Sequence, residues 1–213
     1  MTVGKRPSPE EARAIDTYFT TVADHGLCAS TFVARIIAST QSDAVSAVVG
    51  ALGALKGPLH GGAPGPVLDM LDAVGAPERA ASWLEGELAA GRRIMGMGHR
   101  IYRVRDPRAA VLEAATSALQ SAGIAPARLT LARAVEHEAT RLLQARHAAR
   151  ALCANVEFYT ATLLDALGLA RTMFTTTFAA ARTAGWCAHI DEQRRTGRLI
   201  RPAARYVGPA AHA

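Results

Sequence analysis

The sequence predicts an all-α fold, and three observations carry that expectation. Apolar residues recur at three- and four-residue spacing along most of the 213-residue chain, the signature of one buried helix face. Only 5% of residues are aromatic while alanine is abundant, a composition suited to close-packed helices rather than a sheet. Half the residues are apolar and only 20% are charged, so the chain can bury a real core without disulfides or metals.

The first helix is expected in "SPEEARAIDTYFTTVAD", from about Pro9 to Asp24. Ser8 serves as N-cap, Pro9 takes the first helical position and two glutamates follow in the first turn. Two more helices are expected over Ser30–Ser39 and Ser42–Leu55, separated by the polar "STQSD". Periodicity then stops at Lys56 and returns in "PVLDMLDAVG", which ends on Gly75. "APERAASWLEGELAAG" is another helix, and "RRIMGMGHRIYRVRDPR" is a second interruption, broken by glycines and Pro107. Amphipathic helices follow in "PRAAVLEAATSALQSAG" and "TLARAVEHEATRLLQARH". A less regular "AARALCANVEF" leads into "YTATLLDALGL", and "MFTTTFAAARTAGWCAHIDEQRR" forms the last long helix.

Cys28, Cys153 and Cys187 are odd in number and widely spaced, which reads as reduced thiols in a cytoplasmic protein. No run approaches the roughly 18 apolar residues of a membrane span, and the N-terminus has no apolar signal core, so no membrane association is expected. Net charge is +6, and only Lys5 and Lys56 among 24 cationic residues are lysines. The arginines are scattered and stacking aromatics are few, so nucleic acid is not an expected partner. Arginine also fits the carboxylates and phosphates of small molecules.

Chemistry is expected at the two interruptions. His60 in "GPLHGGAPGP" and His99 in "GMGHRIY" each adjoin glycine between helices, where a loop presents a side chain and lets a ligand approach closely. Glu157 in "CANVEFYT" has apolar and aromatic neighbours that could raise its basicity. Arg108, Arg182 and Arg201 read equally as salt-bridge or ligand-binding arginines. His137, His147 and His212 have no special context, and His189 reads as a packing or helix-end residue. "GALGALKGP" lacks the phosphate-loop spacing and "HEATR" is not a zinc-binding H-E-x-x-H. His25 and Cys28 could share a helix face, but nothing near them in sequence completes a nucleophile arrangement, so no metal and no covalent nucleophile is assigned.

Taken together and in order, "ADHG…AST", "GPLHGGAP", "GMGHRIYRVRDPRA", "NVEFYTA", "FAAARTAGW" and "IRPAARYVGP" resemble the citrate synthase family over about Ile15 to Pro209. The resemblance implies a helical large domain, here residues 1–62 and 172–213, and an inserted small helical domain, 63–171, which closes over substrates. It implies condensation of acetyl-CoA with oxaloacetate and water to give citrate and CoA, or of propionyl-CoA to give 2-methylcitrate, without a cofactor. Glu157 then matches the base, His60 the donor to the thioester oxygen and His99 the group that polarises the ketone. His25, Arg108, Arg182 and Arg201 match oxaloacetate contacts, with Arg201 serving the neighbouring subunit of a homodimer.

Three departures accompany the match. Glu157 stands where aspartate is usual, Cys28 and Pro64 where asparagine is, and the chain reads as a short form without the usual N-terminal part of the large domain. The last feature also implies a complementary synthase chain, or a non-catalytic subunit of a full-length synthase. Citryl-CoA cleavage is a further reading on the same scaffold.

Overall fold

A computed structural model describes residues 4, 6–62, 64–99, 104–147 and 152–208. Lys5, Ala63, Arg100 to Arg103 and His212 lie outside them. Nine α-helices hold the described residues: α1 (Pro9–Val22), α2 (Ala29–Ser39), α3 (Ala44–Leu55), α4 (Pro64–Val74), α5 (Ala80–Ala89), α6 (Pro107–Ser121), α7 (Pro126–Arg146), α8 (Val156–Ala166) and α9 (Phe174–Thr196). The all-α expectation holds.

Local chemistry accounts for the helix starts. Ser8 and Glu11 form a reciprocal capping box at α1, with Ser8 Oγ accepting from Glu11 N at 3.2 Å and Glu11 Oε2 accepting from Ser8 N at 2.8 Å. Asp43 caps α3 through Ser46 N at 2.9 Å, so that helix starts after Asp43 rather than at Ser42. Asp106 caps α6 and Asn155 caps α8, through Arg108 N and Glu157 N. Further boundaries differ from the sequence reading. α7 opens at Pro126, because Ala125 takes a left-handed turn (φ 45°) that lets proline lead the helix. "APERAAS" opens with a short 3-10 turn at Pro77–Arg79 before α5.

α2, α3 and α9 pack together, α4 and α6 flank α8, α5 packs on α7, and α1 touches both α6 and α9. The centre is α8, whose Phe158, Tyr159, Ala161, Leu163 and Leu164 are fully buried. Two arginines, Arg128 half-buried and Arg171 exposed, tie neighbouring helices: Arg128 bonds Asp72 of α4 and Asp165 of α8, and Arg171 bonds Asp69 and Asp72. No helix among the described residues is long and apolar enough to cross a membrane.

Candidate active site

The two helix interruptions and the start of α8 meet. The loop before α8 pairs with the glycine-flanked loop through an antiparallel bridge, Met97 to Ala154. Gly98 N donates to Cys153 O at 2.7 Å, Asn155 N donates to Gly96 O at 2.9 Å, and Asn155 Nδ2 donates to Gly98 O at 2.9 Å. His99 leaves this bridge on one side and Glu157 on the other. Gly96 sits at φ +73°, and a Cβ there would stand 2.9 Å from the Phe158 ring, so the loop can lie on α8 only with glycine at this point.

Asp106 locks the same junction from within. It is 1% exposed, and its oxygens accept from Arg108 N, Nε and Nη2 and from Val156 N at 2.8–3.1 Å. Burial alone would raise its pKa, but these bonds and the Arg108 charge hold it below the usual value. Its stabilising contribution is therefore present above the ordinary aspartate pKa and lost as pH falls through the depressed one. Asp106→Asn leaves Arg108 without its carboxylate and turns an amide toward N–H donors. Urea unfolding at neutral pH should register a loss of about 3–5 kcal/mol.

Arg108 also orients a histidine. Its Nη2 donates to His99 Nε2 at 3.3 Å; since guanidinium only donates, that ring nitrogen accepts. The His25 ring meets His99 edge-on with centroids 5.5 Å apart. Burial, then the positive charge of Arg108 and a charged His99, lowers the His25 pKa to about 4, so this ring is neutral at neutral pH.

His60 sits in the turn between α3 and α4, held by His60 N to Gly57 O at 2.9 Å and Gly61 N to Leu55 O at 2.7 Å. Its Nε2 lies 2.9 Å from Ser30 Oγ, and Trp186 Nε1 donates to the same oxygen at 3.2 Å. The indole only donates, so the hydroxyl accepts from it and keeps its own proton for a second partner. When that partner is His60 Nε2, the imidazole proton resides on Nδ1.

Arg182, 1% exposed, projects from α9 with Nε donating to Val22 O at 2.7 Å and Nη1 donating to Cys28 Sγ at 3.2 Å. Its guanidinium stacks on Phe178 at 4.8 Å, and that ring also meets His60 edge-on at 6.1 Å. Arg182, Gly185, Trp186 and His189 follow an i, i+3, i+4, i+7 pattern, one face of α9. Three of these side chains hold the segment containing His25 and Cys28: Arg182 as described, Trp186 through Ser30, and His189 through Asp24 Oδ1 at 3.1 Å.

Glu157, in the first turn of α8, is half-buried. Desolvation raises its pKa to about 7, opposed by the positive charge of Arg108, His60 and Arg182 and aided by Asp106. Tyr18 of α1 is fully buried, and its hydroxyl pKa is raised first by burial and then by the Glu157 charge. Glu157 thus stands in the shared electrostatic field of residues from the α3–α4 turn, α6 and α9.

The structure does not bring Arg201 to this cluster: the residue is exposed and its Nη1 donates to Pro202 O at 3.2 Å. His25 and Cys28, which could have shared a helix face, do not. His25 lies in the loop after α1 and Cys28 is the N-cap of α2, because Gly26 turns the chain left-handed (φ 56°) between them. Sequence reading passed over Ser30, Asp106, Trp186 and the neighbours of Cys28. Asp106 carried the usual cap signal, an aspartate before proline. Ser30 is 30 residues from His60 and 156 from Trp186 in sequence, and those pairings left no local signal. Among the described residues no group of three or more His, Cys, Asp or Glu could hold a metal. A groove of about 550 Å³ bordered by Arg105, Glu113, Arg133 and Glu136 contains none of the candidate residues.

These elements define an all-α scaffold with its reactive side chains gathered at the helix breaks, and the chain belongs to the citrate synthase family: the family model "Citrate synthase, C-terminal domain" matches residues 1–203. A protein called "Putative citrate synthase 2" from Mycobacterium tuberculosis is 50% identical over 203 residues, 95% of this chain and 53% of that protein. The citrate synthase of Deinococcus radiodurans is 40% identical over 208 residues, 98% of this chain and 54% of its own. The Thermoplasma acidophilum citrate synthase, solved as a ternary complex with carboxymethyl coenzyme A and oxaloacetate, superposes with a TM-score of 0.85 at 32% identity, covering 99% of this chain and 55% of that one. The chain spans about half the length of the curated relatives it matches.

Proposed function

We propose that this chain carries the reacting groups of an acyl-CoA condensing site that joins acetyl-CoA to oxaloacetate, giving citrate and CoA. The observation that carries the reading is Glu157: a half-buried carboxylate with its pKa raised to about 7, in the electrostatic reach of His60, Arg108 and Arg182. A base for a weakly acidic C–H next to a thioester must hold a proton well near neutrality, yet be ionised in a useful fraction.

In this proposal the Glu157 carboxylate takes the α-proton, while His60 donates a hydrogen bond to the thioester oxygen as charge develops there. The enol carbon attacks the ketone carbon of oxaloacetate, polarised by His99, and water then cleaves the citryl thioester to citrate and CoA. His25, Arg108 and Arg182 bind the oxaloacetate carboxylates, and no cofactor takes part. Residues 1–62 and 172–213 form the large-domain portion and 63–171 the small domain, whose closure would exclude water.

Two features support a homodimer. Val45, Val49 and Leu52 form an exposed stripe on α3, 72%, 62% and 40% accessible. Arg201 points away from its own chain's cluster, as a residue serving the neighbouring site would. A complementary synthase chain over the same stripe is the alternative.

The test is release of free thiol from acetyl-CoA in the presence of oxaloacetate, with propionyl-CoA run in parallel, and with calorimetric titration of oxaloacetate. Thiol release dependent on oxaloacetate is the expected result. Preference for propionyl-CoA would move the assignment to 2-methylcitrate, since one methylene shifts selectivity by only about 1–3 kcal/mol. Oxaloacetate binding without turnover of either thioester would make the chain a subunit that depends on another.

A further inference from the structure

Cys28 is a nucleophilic group that the proposed condensation does not use. It occupies the N-cap position of α2, and its sulfur accepts from Arg182 Nη1 of α9 at 3.2 Å and lies 3.2 Å from Thr31 Oγ1 and 3.4 Å from Ser30 Oγ of α2, with His60 of the α3–α4 turn acting on it as well. A second observation concerns the arginine. Arg182 is 1% exposed, yet no carboxylate among the described residues pairs with it; Asp24 acts on it only from farther away. A buried guanidinium needs a nearby anion, and the group its Nη1 reaches is this sulfur. Arg182, the helix N-terminus and the two hydroxyls all favour thiolate over thiol.

We propose that Cys28 is a covalent-modification site, a thiolate that takes low-molecular-weight disulfides by exchange. Its sulfur attacks one sulfur of the disulfide; a new S–S bond forms, the original S–S bond breaks, and the departing thiolate takes its electron pair and then a proton from water. An external thiol reverses the step. The adduct replaces the anion that Arg182 holds with a neutral sulfur. This inference does not depend on the condensation assignment.

The three cysteines provide an internal comparison, because Cys187 is exposed while Cys28 and Cys153 are half-buried. Accessibility alone would make Cys187 react first. The Cys28 thiol is pulled down to about 5: burial opposes the shift, and bonds to His60, Ser30 and Thr31 outweigh it. Near pH 6 that gives about 300 times the thiolate fraction of an ordinary thiol, offset about 30-fold by lower intrinsic nucleophilicity, a net advantage of about tenfold.

The experiment is timed reaction of the native chain with dithiodipyridine between about pH 4 and 9, with peptide mass spectrometry to locate each adduct. Expected is about tenfold faster labelling of Cys28 than of Cys187 near pH 6, rising through about pH 5 and abolished as an advantage in concentrated urea. Cys28→Ser should lose the fast phase while keeping the helical circular dichroism spectrum, and Arg182→Met should shift the Cys28 profile upward in pH. Cys187 or Cys153 reacting first, or Cys28 reacting only in the ordinary thiol range of about 8–9, would overturn the proposal.

Discussion

Glu157→Gln is expected to lower thiol release from acetyl-CoA plus oxaloacetate by about 10²–10⁴-fold, the usual contribution of a positioned general base, while oxaloacetate binding stays measurable. The amide fills nearly the same space but cannot take a proton. The same substitution should raise stability in alkaline buffer. The folded-state pKa lies at about 7, above the value of 4.5 for a free glutamate. The folded chain therefore holds this proton more tightly than the unfolded chain, and the associated stability, complete below the unfolded value, is lost as pH rises through about 7. Above that point the parent must ionise a half-buried carboxyl and the glutamine variant does not. A higher melting temperature for the variant there, with activity lost, separates a catalytic carboxylate from a structural one; equal turnover would remove Glu157 from the role of base. In the parent, thiol release at limiting substrate should rise with pH through about 7 as the base ionises.

Gly185→Ala is expected to damage the site from the opposite side. A Cβ at Gly185 would stand 2.2 Å from Ala23 O and 3.2 Å from Asp24 Cα, so backbone must move against backbone. Helix α9 is long and rigid, and the segment that yields is the one that places His25 and Cys28. Overpacking of this kind costs about 1–3 kcal/mol, a fall of about 2–12 °C in melting temperature for a chain of this size. Affinity for oxaloacetate should fall as well, because His25 and the Val22 carbonyl that holds Arg182 both shift. A melting curve and a calorimetric titration check the two parts separately. An alanine variant with unchanged melting would mean that α9 and the loop can separate at no cost.

Much of this architecture was legible in the order of residues. Helix starts obey short-range chemistry, as Ser8 with Glu11, Asp43 with Ser46 and Pro107 after Asp106 illustrate. The interruptions at His60 and His99 were visible because glycine and proline break a 3.6-residue period over a few positions. The start of α8 was blurred: "AARALCANVEF" has no strong periodicity, and residues 153–155 are placed by pairing with residues 96–98, more than fifty positions earlier. The motif match supplied residue roles that no local pattern contained.

What the sequence determined by itself was a helical chain with reactive side chains at its breaks, because capping, turns and amphipathic periodicity act within about one helical turn. Only the tertiary structure decided which of those side chains share an environment. It placed Arg182 and His60 on Cys28, put Ser30 between Trp186 and His60, and left Arg201 outside. The physical reason is distance. The desolvation that raises Glu157, and the His60 bond that joins those of nearby Ser30 and Thr31 in pulling Cys28 down, come from elements brought together by packing, and such forces depend on separation in space rather than along the chain.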